Sequence, residues 1–582
     1  MASLFGFAPP GLVEEYIPVL AEVAPTLAAT VDACFDTAKG HIQASDALLA
    51  LLLLPYAYIF LKVILSPPLA AFGIWRRSGI GGLYKRVAGA ALGALQSFVP
   101  GVSSAIQAQV QKELDGIEKD MLGDGDADAL VSLPETSTTA GDVAERVSIL
   151  YHNDPFFQPE SKQWGGIYHE PNSELTMLQA QVWAAFNTSN ALYPEVFPSL
   201  RRFEAEIVSM TLGIVHGHEC GAVGLLSSGG TESVLIAALA YRELGRKRGI
   251  TQPQIICGLS AHPAIVKACA YFNIELVKAP LDPVTMKLTA ANVKPLLTSR
   301  TVAIYASAPS FSFGCVDEIE ALGALAKRSK VGLHVDNCLG GFFLSFMQRA
   351  GLYAPKWDFA VEGVTTISID LHKYGCTSKG ASVVAFRDAA LRALTFVPSA
   401  DGCEGLYVTP TLQGSRSGAT MAAAWATLVM HGEEYYLDAA KKMTEATEAL
   451  KVALSKMPKL KVCGNPTLAI VPVCGCDGLN VYALASLLQK KGYGVFTGQK
   501  PATVAFPVGE RTPRMLDQMI LDIRECVDRL ISDPSIKPTG TAAVYGSASA
   551  VPDEILEEVL RGYIDVKLKV KPNPTPIKAK AA

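Results

Sequence analysis

Beyond residue 203 the chain alternates short β-branched and apolar runs with longer stretches of helical periodicity. Runs at 255–257, 301–305, 332–335, 366–369 and 382–386 read as strands, and an apolar run at 222–226 precedes them. Helical stretches lie among them, such as 233–248 and 319–329. Alternation of this kind predicts an α/β fold with a mostly parallel sheet covered by helices. From about residue 421 the pattern changes to a long helix, an apolar run at 460–473, and further helix and strand signals to 531. This predicts a second, smaller α/β unit.

The first hundred residues follow another pattern. Positions 47–65 read ALLALLLLPYAYIFLKVIL, nineteen residues with one charge, Lys62, near the end. That is close to the roughly 20 residues needed to cross a bilayer, and Pro55 is tolerable in a spanning helix. Only Lys39 is basic before the run, among Asp32, Asp36 and Asp46, whereas Arg76, Arg77, Lys85 and Arg86 follow it. Positive flanks stay cytosolic, so a single-pass anchor with the large C-terminal part in the cytosol is expected. The Ala/Gly-rich stretch at 87–106 carries Gln96 and Pro100 and reads as an interfacial helix. Positions 115–139, with GDGDAD at 123–128, read as a linker, and the Lys/Pro/Ala-rich positions 566–582 as a disordered tail. The expected organisation is a lumenal segment (1–46), a membrane helix (47–66) and a membrane-proximal segment and linker (67–140). An arm (141–202), a large domain (203–420), a small domain (421–548) and a terminal helix with its tail (549–582) follow.

Of the 582 residues, 49% are hydrophobic and 18% charged, which allows a large core and excludes extensive disorder. Lys+Arg 51 against Asp+Glu 55 gives a net charge of −4, arguing against a nucleic-acid partner. The twelve cysteines are scattered and contain no C-x-x-C pair, so neither a metal site nor a disulfide framework is expected. Buried free thiols in a reducing compartment are expected instead.

Four separated pieces carry chemistry. Ser227-Ser228-Gly229-Gly230-Thr231-Glu232-Ser233 follows an apolar run and opens a helix. Gly230 lets backbone N–H groups approach an anion, Thr231 adds a hydroxyl, and the helix N-terminus adds positive potential. The plainer reading is a helix cap. Asp336 ends the run Leu333-His334-Val335, at the strand edge where ligands bind in such sheets; an acid there holds a protonated ring nitrogen or a metal, or merely caps a turn. His372 and Lys373 end another β-type run. A lysine in an apolar site is expected to have a lowered pKa and to act as an amine nucleophile forming a Schiff base. His262 follows a strand and can stack on a planar ring. Together the four meet the requirements of pyridoxal phosphate: a phosphate cradle, an acid for the ring nitrogen, a lysine for the aldehyde and a ring-stacking histidine.

At these residues the chain resembles the sphingosine-1-phosphate lyase family, pyridoxal-phosphate enzymes of the aspartate-aminotransferase fold (fold type I). The likeness runs from about residue 165 to 563 and is carried by GGIYH (165–169), NALYPEVFPSLRRFEAEIV (190–208), SSGGTES (227–233), LHVDNCLGGF (333–342), SIDLHKYGCTSKGAS (368–382), PTLQGSRSG (410–418) and PTGTAAVYG (538–546). The resemblance implies retro-aldol cleavage of the C2–C3 bond of a phosphorylated sphingoid base, giving a fatty aldehyde and phosphoethanolamine. It implies Lys373 as the Schiff-base lysine and Gly230, Thr231 and His372 at the cofactor phosphate. Asp336 would lie under the pyridine nitrogen and His262 on the ring. Gly414, Ser415 and Arg416 would lie on a loop reaching the neighbouring subunit's site in an obligate homodimer with shared sites. It places Tyr168, Asn190, Lys379 and Tyr407 around the substrate phosphate and scissile bond, with Lys379 and Arg416 as cations for that phosphate. Tyr168 or Lys373 would take the 3-hydroxyl proton. The eukaryotic members sit in the endoplasmic reticulum membrane, which matches the anchor.

Some positions depart from the family pattern. Tyr193 replaces a histidine of the usual N-P-L-H-P element, and Cys376-Thr377-Ser378 replaces Tyr-Ala-Pro after Lys373. Residues 151–163 look like an insertion. The cofactor set is intact and the substrate set altered, which leaves two other readings: a pyridoxal-phosphate amino-acid decarboxylase, and an inactive membrane-bound scaffold.

Overall fold

A computed structural model describes residues 102–571 except 124, 126–128, 158–160, 163–167, 171–172, 404, 540–541 and 543–552. The anticipated membrane helix at 47–66 and its flanks lie outside the described residues, as do 572–582 of the tail. Among the described residues, no helix is long and apolar enough to cross a membrane.

The chain divides into two compact units. The smaller contains the helices Val102–Leu122 and Asp553–Lys567. They approach at Gly562, where a Cβ would stand 2.4 Å from Leu114 Cδ1. Two expectations are corrected here. The linker expected from 115 begins only after Leu122, and the tail expected from 566 is still helical there, with Val566 buried. In both places polar residues follow helical periodicity, which a composition-based reading overlooks.

The larger unit is built on a seven-stranded sheet: β1 Val223–Ser227, β2 Gln254–Gly258, β3 Glu275–Ala279, β4 Thr301–Ser307, β5 Gly332–Asp336, β6 Thr366–Asp370 and β7 Ser382–Phe386. The order is β1-β7-β6-β5-β4-β2-β3. All neighbours are parallel except β7, which runs against both β1 and β6. Alternate side chains enter opposite cores. Ile256, Ile304, Leu333 and Ile367 belong to one cluster, and Ile255, Cys257, Tyr305 and Val384 to the other. Helix Gly230–Lys247 covers β4–β7 on one face, while Pro198–Ile214 packs on β1 and β7 and Gly341–Arg349 on β6. Burial on both faces explains the continuous apolar runs of β2 and β4–β7.

A two-stranded ribbon, β8 Ser399–Gly402 with β9 Gly405–Tyr407, precedes the 38-residue helix Gly418–Ser455. That helix is broken at Gly432, whose φ of 55° suits glycine. The C-terminal sheet is antiparallel, ordered β10 Leu460–Val462, β11 Ile470–Gly475, β13 Ala502–Pro507, β12 Phe496–Gln499. The apolar run at 460–473 is therefore a hairpin rather than one element. This hairpin also corrects the all-free-thiol expectation, because it brings Cys463 and Cys474 together as a disulfide.

Candidate active site

The register of the sheet aligns the last residues of its strands. Ser227 and Asp370 both pair with Ser382, and Asp336 lies between Ser307 and Ser368. Side chains leaving β1, β5 and β6 therefore meet at one carboxyl edge, where ligands bind in α/β sheets.

After β1 the chain turns at Gly229 into helix Gly230–Lys247. A Cβ at Gly230 would stand 2.7 Å from Cys338 Sγ and 2.8 Å from Asp370 Oδ1, so only glycine lets the turn approach this wall. The turn is fixed from both sides. Ser227 Oγ and Ser233 Oγ lie 2.7 Å apart, Ser382 Oγ is 2.9 Å from Ser233 Oγ, and Glu232 accepts the N–H groups of Ser228 (2.7 Å) and Leu412 (3.1 Å). Thr231 is exposed in the first helical turn.

Asp336 is buried at the end of β5. It accepts the Tyr305 hydroxyl, the Cys338 N–H (3.1 Å) and the Ser368 hydroxyl (3.2 Å). Burial pushes its pKa up, but the charge of nearby His262 and these donors prevail and hold the carboxyl below its usual range. Tyr305 stacks on His334, which bonds Thr366 Oγ1 (2.8 Å) and Ser368 Oγ (3.2 Å). Burial lowers His334 to about 4. An unfolded chain would take up this proton near pH 6.5 while the folded one refuses it to about pH 4, so stability falls as pH falls through that window. His431 behaves alike. The variant His334→Gln is expected to flatten the fall of Tm between pH 6.5 and 4; an unchanged slope would exclude this contribution.

Lys373 and His372 follow β6 immediately. The Lys373 ammonium lies 3.0 Å from Asp370 Oδ2, and His372 Nε2 lies 3.5 Å from the same oxygen. The expected lowered lysine pKa is thereby corrected: burial alone would lower it, but buried Asp370 outweighs that and holds the amine above its ordinary value. His372 Nδ1 accepts the Ala381 N–H at 3.2 Å; burial lowers the ring's pKa, against the pull of Asp370. Asp370 is a site residue the sequence reading missed. Its other oxygen is buried without a hydrogen-bond partner among the described residues.

Tyr168 stands edge-on to Tyr374, ring centroids 4.9 Å apart, and Lys379 Nζ lies 4.8 Å over the Tyr168 ring. Lys379 also donates to the His372 carbonyl at 3.0 Å, and burial together with Lys373 lowers it to about 8. His262 lies after β2, with its Nδ1 accepting the Ala264 N–H at 3.1 Å and its ring facing Phe311 edge-on.

The remaining predicted residues form a second group. Asn190 donates to Ser415 Oγ (2.9 Å) and accepts the Arg416 N–H (3.1 Å), tying the Gly414–Arg416 loop to the arm. Arg416 grips Glu204 with both terminal guanidinium nitrogens, at 2.6 and 2.8 Å. The pair matches the Arg416 charge and secures the loop. Tyr193 is 52% and Tyr407 44% exposed, the latter with its hydroxyl close to Gly414.

The first group fits pyridoxal phosphate. A glycine turn no Cβ could enter, a charged buried carboxylate, a lysine amine and an imidazole share one strand edge.

Residues 167–474, just over half of the chain, match the pyridoxal-dependent decarboxylase conserved domain. The chain is 36% identical over 472 residues to sphingosine-1-phosphate lyase 1 of Rattus norvegicus, covering 79% of this chain and 82% of that one. It is 34% identical over 532 residues to the sphingosine-1-phosphate lyase of Arabidopsis thaliana, covering 89% and 94%. Among solved structures, the sphingosine-1-phosphate lyase of Burkholderia pseudomallei K96243 matches with a TM-score of 0.67 at 35% identity, over 70% of this chain and 94% of that one. A glutamate decarboxylase of Lactobacillus brevis CGMCC 1306 shares the fold, with a TM-score of 0.59 at 20% identity over 69% and 95%. The architecture is that of pyridoxal-phosphate enzymes of fold type I, with a large mixed sheet.

Proposed function

Because the chain belongs to the sphingosine-1-phosphate lyase family, we propose that it cleaves the C2–C3 bond of a phosphorylated long-chain base, releasing a fatty aldehyde and phosphoethanolamine. The observation that carries this reading is the Lys373–Asp370 pair, held on the same strand edge as the charged carboxylate of Asp336. Lys373 would hold the cofactor's aldehyde carbon, the Gly229–Gly230 turn and His372 its phosphate, Asp336 its ring nitrogen and His262 its face. When bound, pyridoxal phosphate supplies an electron-accepting ring that takes up the electron pair left by C–C cleavage.

The protein's own groups do the rest. Asp336 keeps a proton on the ring nitrogen, a task suited to a carboxylate that three donors hold charged. A free Lys373 amine beside Asp370 would be a strong base, and Asp370 would stabilise the ammonium that it becomes on taking up a proton. Tyr168 or Lys373 accepts the 3-hydroxyl proton. Lys379, beside Tyr168, offers the cation for the substrate phosphate; a dianion there would raise its proton affinity again.

Further parts of the reading rest on surface and sequence. A homodimer with shared sites is supported by helix Ala140–Asn153, which has no buried residue and exposes Val143, Val147 and Leu150 on one stripe. Exposed Leu406, Val408 and Leu412 add apolar surface near the Gly414–Arg416 loop. Single-pass anchoring in the endoplasmic reticulum membrane, with the catalytic part cytosolic, is supported by the apolar run at 47–65 and the basic residues after it. A lipid substrate partitions into the bilayer, so an anchor brings the site to its supply.

The test is to give purified protein a sphingoid base phosphate and, separately, a panel of amino acids. Fatty aldehyde and phosphoethanolamine in equal amounts are expected. Carbon dioxide without aldehyde would assign a decarboxylase, and no product from either would leave the scaffold reading.

A further inference from the structure

Three side chains with no part in the bond-breaking steps form a polar chain, two members of which reach the backbone next to Tyr168. Tyr435 lies just beyond the helix break at Gly432 and stacks on His431, with ring centroids 3.6 Å and planes 5° apart. Its hydroxyl is 3.6 Å from Cys376 Sγ and 3.5 Å from Glu510 Oε1, to which it donates. Cys376, in the loop that carries Lys373, lies 3.6 Å from the Tyr374 carbonyl and 3.9 Å from the Tyr168 carbonyl. Glu510 Oε2 accepts the Glu170 N–H at 3.1 Å. The two peptide groups that follow Tyr168, on either side of His169, are thus tied to a single polar chain.

The rest of the neighbourhood strengthens these ties. The Glu170 carboxylate is matched by Arg511 (2.7 Å) and Arg514 (3.0 Å), so the segment is gripped through side chain as well as backbone. Burial pushes the Cys376 thiol up to about 12, so it stays protonated and able to donate. Glu510 is half-buried beside a second acid, an arrangement that disfavours its charge.

Taking the lyase reading as its basis, we propose that Glu510, acting with Tyr435 and Cys376, is a positioning residue that sets the Tyr168 hydroxyl over the reacting bond. Displacement of a reacting group by about 1 Å costs up to roughly a hundredfold in rate. Loss of the Glu510 acceptor frees the Glu170 amide and the Tyr435 hydroxyl together, and loosens the segment that follows Tyr168.

The test is a mutant cycle on a long-chain base phosphate. Glu510→Ala is expected to lower kcat about tenfold or more, with KM changed much less. Glu510→Gln keeps an acceptor for the Glu170 N–H and is expected to recover most of the rate. In a Tyr168→Phe background, measured at high enzyme concentration, Glu510→Ala should add almost no further loss, because both changes act through one hydroxyl. An unchanged kcat in Glu510→Ala, or equal losses in both backgrounds, would overturn the assignment. Should Glu510→Ala fail to fold, Tyr435→Phe, which keeps the ring stack and removes the hydroxyl, decides by the same cycle. Absence of turnover in the unaltered protein would reject the lyase reading and this role with it; turnover indifferent to Glu510 rejects the role alone.

Discussion

Replacing Lys373 with alanine is expected to lower turnover of a phosphorylated long-chain base by at least about 10³-fold, the range set by loss of a covalent and proton-transfer group. Borohydride reduction followed by digestion should place a pyridoxyl group on the peptide containing Lys373 in the unaltered protein and nowhere in the variant. Folding should survive. The Lys373 ammonium is removed from beside Asp370, whose second oxygen has no partner among the described residues, so some stability will go with it. The sheet beneath does not depend on the lysine side chain. Turnover retained in Lys373→Ala, or a pyridoxyl group found on another peptide, would end the assignment.

The second large effect is expected at Asp336. Asp336→Asn keeps the shape of the side chain but removes its charge, and it sets an amide donor among the Tyr305 hydroxyl, the Cys338 N–H and the Ser368 hydroxyl. A buried, preorganised charge of this kind is worth about 10²- to 10³-fold in rate. Attachment at Lys373 should persist, because the lysine is held by Asp370 and not by Asp336. A loss of rate with retained pyridoxyl labelling is therefore the expected pair of results. A near-normal rate would remove the ring-nitrogen role.

Which features the sequence revealed follows from burial. Strands β2 and β4–β7 are covered on both faces and announce themselves as apolar runs. β3 went unseen because it is an edge strand carrying Glu275 and Lys278 within five residues. In the site, glycines, Asp336 and Lys373 stand at strand ends, where composition breaks abruptly. Asp370 gives the same signal, an acid closing an apolar strand, but the histidine and lysine after it carry the more distinctive chemistry. Tyr435 and Glu510 gave none: they lie 59 and 134 residues from Cys376 in the chain, and only packing joins them to it. The direction of the lysine pKa is hidden for the same reason, since burial can be inferred from apolar neighbours while a specific counter-charge cannot.

The reversal of β7 has an evolutionary corollary. Because β6 and β7 are antiparallel neighbours, the segment bearing Lys373 and Lys379 is a hairpin loop pinned in register at both ends, by Asp370 opposite Ser382. A crossover between parallel strands would have to span a helical layer; this loop has only to turn round. Its tip departs from the family pattern at Cys376-Thr377-Ser378 and meets the Tyr168 segment through Cys376, while its roots stay fixed by the sheet. Selection can thus retune which molecule is accepted without disturbing the amine that attacks it.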